Sequence, residues 1–244
     1  MPKKGALQTF LVGFIIAAHW IFFFEAIKQS NVSVTLAALA TASLFTALLE
    51  PIFFKRKLHW YELILGGTVI LGLYFIFRFE TENGLGILLA IIAAFLASLF
   101  TVINGRLIRK YDSTRISFYE LSGGVIAITL YFLIFKPEKF PNFEMSGTDA
   151  FYLLLLGSIC TAFAFVASVK VMEELTPFTV SLSINLEPVY GIVLAYLIFG
   201  EEEKMSLGFY GGSLLILSSL FLNVWLKKRL KVKQKKAQLA ASKG

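Results

Sequence analysis

Residues 183–190, Ser-Ile-Asn-Leu-Glu-Pro-Val-Tyr, place a hydroxyl, an amide, a carboxylate and a phenol inside a hydrophobic run. Ser183, Glu187 and Tyr190 are spaced i, i+4 and i+7, so they share one helix face. Asn185 lies close by. Pro188 has no backbone N–H to donate, and its ring clashes with the preceding turn. A helix through this segment therefore leaves carbonyls free beside a carboxylate. That combination could bind a cationic group or a proton, with Pro188 as the hinge. The plainer alternative is a tolerated kink whose polar groups are satisfied by neighbouring helices.

Other polar residues are set into greasy surroundings in the same way. His19 and Trp20 sit deep in a run near the N-terminus. A histidine there can relay protons or simply be a hydrogen-bonded core group. Thr35, Ser43, Thr46 and Glu50 form a stripe, although Ser and Thr can equally bond their own helix backbone. Glu50 lies near Lys55 and Arg56, which suggests an ion pair at a membrane interface. Ser158, Thr161, Phe165 and Ser168 share a face, as do Ser98, Thr101 and Asn104. Glu120 lies a few residues from Arg115, and Gly123–Gly124 open space beside it. Thr161, Ser43, Glu120 and Asn104 complete the candidate binding set. Glu25 and Lys28, one turn apart, read as a local ion pair.

The elements that carry these residues are membrane spans. The chain of 244 residues is 57% hydrophobic and only 16% charged, whereas soluble domains carry about a quarter charged residues. A spanning helix needs about 20 mostly apolar residues. Eight runs qualify: 6–27, 32–54, 58–77, 85–105, 116–135, 150–171, 177–199 and 206–226. The expected fold is an all-α polytopic helical bundle with short connections, the longest near 136–149. If the N-terminus is cytoplasmic and the runs alternate, 18 of the 23 Lys and Arg fall on the cytoplasmic side, eight of them from Lys227 to Lys243. The bias predicts that both termini are cytoplasmic. The basic tail reads as an anchor beside anionic lipid rather than a nucleic-acid site.

Several chemistries are disfavoured. One cysteine, Cys160, excludes an internal disulfide and two-cysteine metal motifs. The two histidines, His19 and His59, cannot form a metal motif within one helix. No phosphate-binding Gly-x-x-x-x-Gly-Lys-Ser/Thr loop occurs, so no nucleotide cofactor is expected.

The chain also repeats itself. At an offset of 145 residues, the first three runs fall on the last three without a gap. Ala17 meets Ala162, Phe45 meets Tyr190, Phe54 meets Phe199, and Gly66–Gly67 meets Gly211–Gly212. The first run points outward and the sixth inward, so the repeats are inverted, as in many secondary transporters, whose sites lie near the midplane. The partners of runs four and five would fall before Met1. A complete repeat is then five helices, and the expectation is a five-plus-five protein lacking its first two helices. On that reading, residues 1–83 are the remainder of one repeat, 84–226 the second repeat and 227–244 the tail. A protein of eight native helices is the alternative.

These segments resemble a family. Ala26-Ile27-Lys28 followed by Asn31-Val32-Ser33-Val34 looks like the end of the third helix and start of the fourth in EamA-type transporters of the drug/metabolite transporter superfamily. Leu186-Glu187-Pro188-Val189-Tyr190 and then Leu197-Ile198-Phe199-Gly200-Glu201 are similar to that family's ninth helix and its exit. Gly211-Gly212-Ser213-Leu214-Leu215-Ile216 is similar to its tenth. The resemblance implies ten helices in two inverted repeats and transport of small metabolites, often outward. The chain departs from the pattern at Lys55–Arg56, where a Gly-Glu pair is usual. Expected partners are a small-molecule substrate and the lipid bilayer, with a proton as a further candidate and the oligomeric state open. An intramembrane enzyme is a weaker reading, because the aspartates, Asp112 and Asp149, fall in loops away from any clustered nucleophile and base. A receptor or assembly partner is weaker too, because the loops leave little surface outside the bilayer.

Overall fold

Short polar side chains write the helix starts. In the computed structural model, Asn31 Oδ1 accepts the Val34 N–H at 2.9 Å. Asp112 Oδ1 accepts from Thr114 N and Arg115 N at 3.0 and 3.2 Å. Ser146 and Asp149 close a reciprocal capping box. Each device satisfies backbone donors that a helix start leaves without partners. The structure describes residues 1–57, 60–79, 83–137, 145–184 and 186–241.

Among the described residues the regular structure is helical. The helices are α1 (Lys3–Gln29), α2 (Val32–Leu39), α3 (Ala42–Phe54), α4 (Trp60–Phe79), α5 (Gly84–Leu107) and α6 (Ser113–Phe135). Then come α7 (Gly147–Leu155), a π-helical segment (Leu156–Phe163), α8 (Ala164–Val171), α9 (Pro177–Ile184), α10 (Glu187–Phe199) and α11 (Leu207–Ala241). Five stretches among them are long and apolar enough to cross a membrane: Lys3–Gln29, Val32–Phe54, Gly84–Leu107, Ser113–Phe135 and Gly147–Val171. Trp60–Ile76 and Leu207–Asn223 are shorter apolar helices.

Two helix pairs are interrupted at matching places. α2 and α3 are separated by Ala40 and Thr41; α9 ends at Ile184 and α10 begins at Glu187. The four boundaries of the first pair, advanced by 145 residues, are those of the second. Both pairs also end at a positive φ, 51° at Lys55 and 64° at Gly200. The pairs lie side by side and antiparallel: α3 packs on α9, and α10 packs on α2, where Leu36 fills the space above Gly191.

The interruption between α2 and α3 has its backbone groups covered by hydroxyls. Thr41 Oγ1 donates to Ala38 O at 2.8 Å and Ser43 Oγ to Ala40 O at 3.1 Å. Ala42 O accepts from Thr46 Oγ1 at 2.8 Å and from Ser98 Oγ of α5 at 2.7 Å. Broken helices at membrane depth require this kind of substitution for the lost ladder.

Glycines set the closest helix contacts. Gly13 lays α1 against the backbone of α6 at Glu120, Gly123 and Gly124. Gly72 and Gly212 do the same for α4 and α11, while Gly208 receives the Phe79 ring. Small residues allow this approach where no hydrophobic force drives helices together. The space expected beside Gly123–Gly124 is therefore occupied by α1, notably by Phe10 O and Gly13.

At each end of the interrupted pairs, a carboxylate from one pair caps the first turn of the other. Glu50 Oε2 accepts the Phe178 N–H at 2.8 Å. Glu203, in the short 3-10 turn Gly200–Glu203, accepts Val32 N and Ser33 N, each at 2.9 Å. At 1.5 Å per residue, the two ends of Val32–Glu50 stand about 27 Å apart.

Candidate functional site

The polar residues singled out in the sequence fall into three groups. The first is buried where α1, α5 and α6 meet. Glu120 is fully buried and Asn104 is 1% exposed. Asn104 Nδ2 donates to Glu120 Oε2 at 3.0 Å. The Asn104 amide and the Glu120 carboxyl, each near an interface by sequence position, thus meet in the interior. Further along the same helices, a His19 ring nitrogen, Nδ1, on α1 bonds Ala93 O of α5 at 2.9 Å. His19 packs edge-on to Phe100 with centroids 5.6 Å apart, and Phe100 leads to Phe165 of α8 at 6.1 Å. Trp20 lies beside Gly124. Four of the ten candidate binding residues therefore lie on the same three packed helices, with two separate polar contacts.

The second group sits on α9–α10 and the π-helical segment. Ser183 is exposed and donates to Thr179 O of its own helix at 3.0 Å. Glu187 is exposed at the first residue of α10, where the helix dipole favours an anion. Tyr190, 58% exposed, follows on the same side. Pro188 is buried in the first turn of α10, where a missing N–H costs nothing. The proline thus starts a new helix rather than kinking a continuous one. Thr161 is half-buried in the π-helical segment Leu156–Phe163, a geometry frequent at functional sites. Asn185 lies outside the described residues, as does His59.

The third group lies between α3, α4 and α9. Ser43 borders a small cavity with Glu62, Phe178 and Ser219. Thr46 Oγ1 reaches Ser181 Oγ of α9 at 3.2 Å. Beside it sits a charge cluster. Arg56 Nε bonds Glu50 Oε1 at 3.0 Å, and its two terminal nitrogens bond Glu62 at 3.0 and 2.8 Å. The Glu50 and Glu62 side chains are 6% and 2% exposed, against 25% for Arg56. Burial works against the Arg56 charge, but hydrogen bonding and charge from Glu62 and Glu50 outweigh it and hold its pKa above the ordinary value.

The expected Glu50 ion pair is present, with Arg56 as partner. Glu25 and Lys28 pair as expected at 3.7 Å. The sequence reading missed Glu62, Glu203 and Ser117. Glu62 follows Arg56 by six residues across a turn, a spacing that no helical rule flags. Ser117 precedes Glu120 by one turn, so the i, i+3 rule could have found it.

The sequence matches the EamA-like transporter family over residues 1–78 and 84–225. It is similar to the uncharacterized transporter YdfC of Bacillus subtilis (strain 168), 26% identical over 237 residues, which cover 94% of this chain and 75% of YdfC. It is also similar to the uncharacterized transporter YxxF of the same organism, 24% identical over 198 residues, which cover 79% of this chain and 62% of YxxF. The chain thus spans less than two thirds of the length of YxxF. A solved crystal structure shares the fold with a TM-score of 0.65 at 17% identity, covering 94% of this chain and 79% of its own. With apolar helices of spanning length and a match that runs nearly end to end, this multi-pass membrane protein belongs to the EamA-like transporter family.

Proposed function

We propose that this protein is a secondary transporter of small metabolites, such as amino acids or amphipathic compounds, working as an exporter or exchanger by alternating access. The interrupted pairs α2–α3 and α9–α10 carry the reading. Discontinuous helices at the interface of inverted repeats are where transporters place substrate. Here the interruptions match at a 145-residue offset, and the two pairs run antiparallel. On this reading the chain has eight spans, with α2–α3, α7–α8 and α9–α10 each counting once, arranged as inverted repeats. The domains are residues 1–83, 84–226 and the basic tail 227–244. The substrate cavity lies between the interruptions and the α1–α5–α6 layer. Glu187, Asn185, Ser183 and Tyr190 line one wall, with Pro188 as hinge. His19, Trp20, Thr161, Ser43, Glu120 and Asn104 approach from the others. Glu187 binds a cationic group of the substrate.

Thermal-shift screening of metabolites, followed by counterflow of each hit in proteoliposomes, tests the function. Expected are counterflow by the native protein and its reduction in Glu187→Gln at unchanged melting temperature. Turnover of a hit without flux would point to an enzyme instead. Normal counterflow by Glu187→Gln would remove Glu187 from the site.

The Lys and Arg bias supports cytoplasmic termini. With Cys160 replaced, a cysteine at position 243 should resist an impermeant reagent in intact cells. Ready labelling would reverse the orientation.

A further inference from the structure

Three oxygens in the α1–α5–α6 layer lack hydrogen-bond partners among the described residues: Glu120 Oε1, Asn104 Oδ1 and Ser117 Oγ. All three residues are at most 1% exposed. Ser117 lies one turn before Glu120 on the same face of α6. The polar contact among them is the Asn104 amide donating to Glu120 Oε2 at 3.0 Å. An ionised Glu120 would therefore rest on one neutral donor.

The charged and titratable groups of the surrounding elements are engaged elsewhere. On α1, Lys3 and Lys4 are exposed, Glu25 pairs with Lys28, and His19 bonds Ala93 O. On α5, Arg106 is exposed, and beyond its end Arg109 stacks over Phe54. Tyr111 lies against Gly5. On α8, Lys170 pairs with Glu173 at 3.5 Å. On α6 itself Arg115 is exposed and Tyr119 packs on Phe118.

A buried carboxylate with no counter-charge is costly, and such groups neutralise instead. Two species could neutralise this one. A metal cation needs several oxygens at short range. It also needs volume, and at this level Gly13 brings the α1 backbone onto Glu120 O and Gly124 N. A proton needs neither. Placed on Oε1, it removes the charge and gives that oxygen an O–H to donate toward Ser117 Oγ or Asn104 Oδ1.

We propose that Glu120, held by Asn104 and flanked by Ser117, is a buried proton-binding site of this protein. The proton comes from water and returns to water, and one O–H bond is made or broken. Release needs water at Oε1, which the burial of Glu120 excludes in this conformation. The proton site stands on the buried geometry alone. Its use in driving flux rests on the transport reading above.

Infrared spectroscopy of the full chain in lipid at neutral pH, with pH as the probe, decides the site. The native protein should show a carboxylic-acid C=O band that Glu120→Gln loses and Glu187→Gln keeps. Asn104→Ala should shift that band to higher wavenumber, because Oε2 loses its donor; this second variant serves if Glu120→Gln does not fold. Native and Glu120→Gln spectra that coincide in this region, or a band that Asn104→Ala leaves in place, overturn the proposal. Where the native protein shows counterflow, Glu120→Gln should cut accumulation driven by a pH gradient more deeply than it cuts counterflow. Retained gradient-driven accumulation would also overturn a coupling role. Absence of counterflow in the native protein would count against the transport reading and leave the infrared result to judge the site.

Discussion

The two ends of the interrupted helix pairs meet the same requirement with different means. At one end Glu203 accepts two N–H groups of the first turn of α2, next to the Asn31 cap. Among the described residues it makes no ion pair. At the other end Glu50 accepts a single N–H, from Phe178 of α9. There Arg56 joins Glu50 to Glu62, tying α3, α4 and α9 together. The two carboxylates also come from different places: Glu50 from within α3, Glu203 from beyond the end of α10. What the two ends share is a helix start that must be capped from outside its own pair, not the residue that caps it. The Lys55–Arg56 departure from the family's Gly-Glu pattern belongs to this difference. The pair puts a left-handed turn at Lys55 and a cation at Arg56, while the acid comes from Glu50.

The sharpest way to break the comparison is at Arg56. Arg56→Ala strands two buried carboxylates, and removing one partner of a buried pair costs about 3–5 kcal/mol. The lower part of that range is expected, because a quarter of the Arg56 side chain remains exposed. Arg56→Lys should fall between Ala and native, since an ammonium keeps the charge without the fork that reaches both acids. Melting temperatures in detergent would check this order. Equal stability of Arg56→Ala and native would mean that the cluster does not tie this end.

A smaller loss is expected at the other end. Glu203→Ala leaves the first turn of α2 with the Asn31 cap alone, and losing one cap costs about 1–2 kcal/mol. The same thermal measurement would show a fall smaller than that of Arg56→Ala. A larger fall at Glu203 would reverse the ranking of the two ends.

Much of this was legible in the residues. Of the expected runs, 32–54 and 177–199 coincide with the outer limits of the interrupted pairs, and the offset of 145 predicted where the second pair lies once the first is known. Apolar run length and glycine placement are local properties, so one chain pattern suffices to read them. The same pattern flagged Glu120 and Asn104 but placed both near an interface, where solvent would satisfy them. Helical spacing put Ser183, Glu187 and Tyr190 on one face of a continuous helix, whereas the structure interrupts the helix between the first two and leaves all three exposed.

The sequence by itself determined the membrane class, the apolar runs and the 145-residue offset that relates two of them. Tertiary structure alone decided which acids are buried and what they meet. Glu50 reaches a partner 128 residues away, and Glu203 partners 171 and 170 residues away. Glu120 is fully buried, and Gly13, on a helix more than a hundred positions earlier, packs on its backbone. The physical reason is that a carboxylate's fate depends on the donors and the water around it. Those are supplied by helices that become neighbours only when the bundle packs.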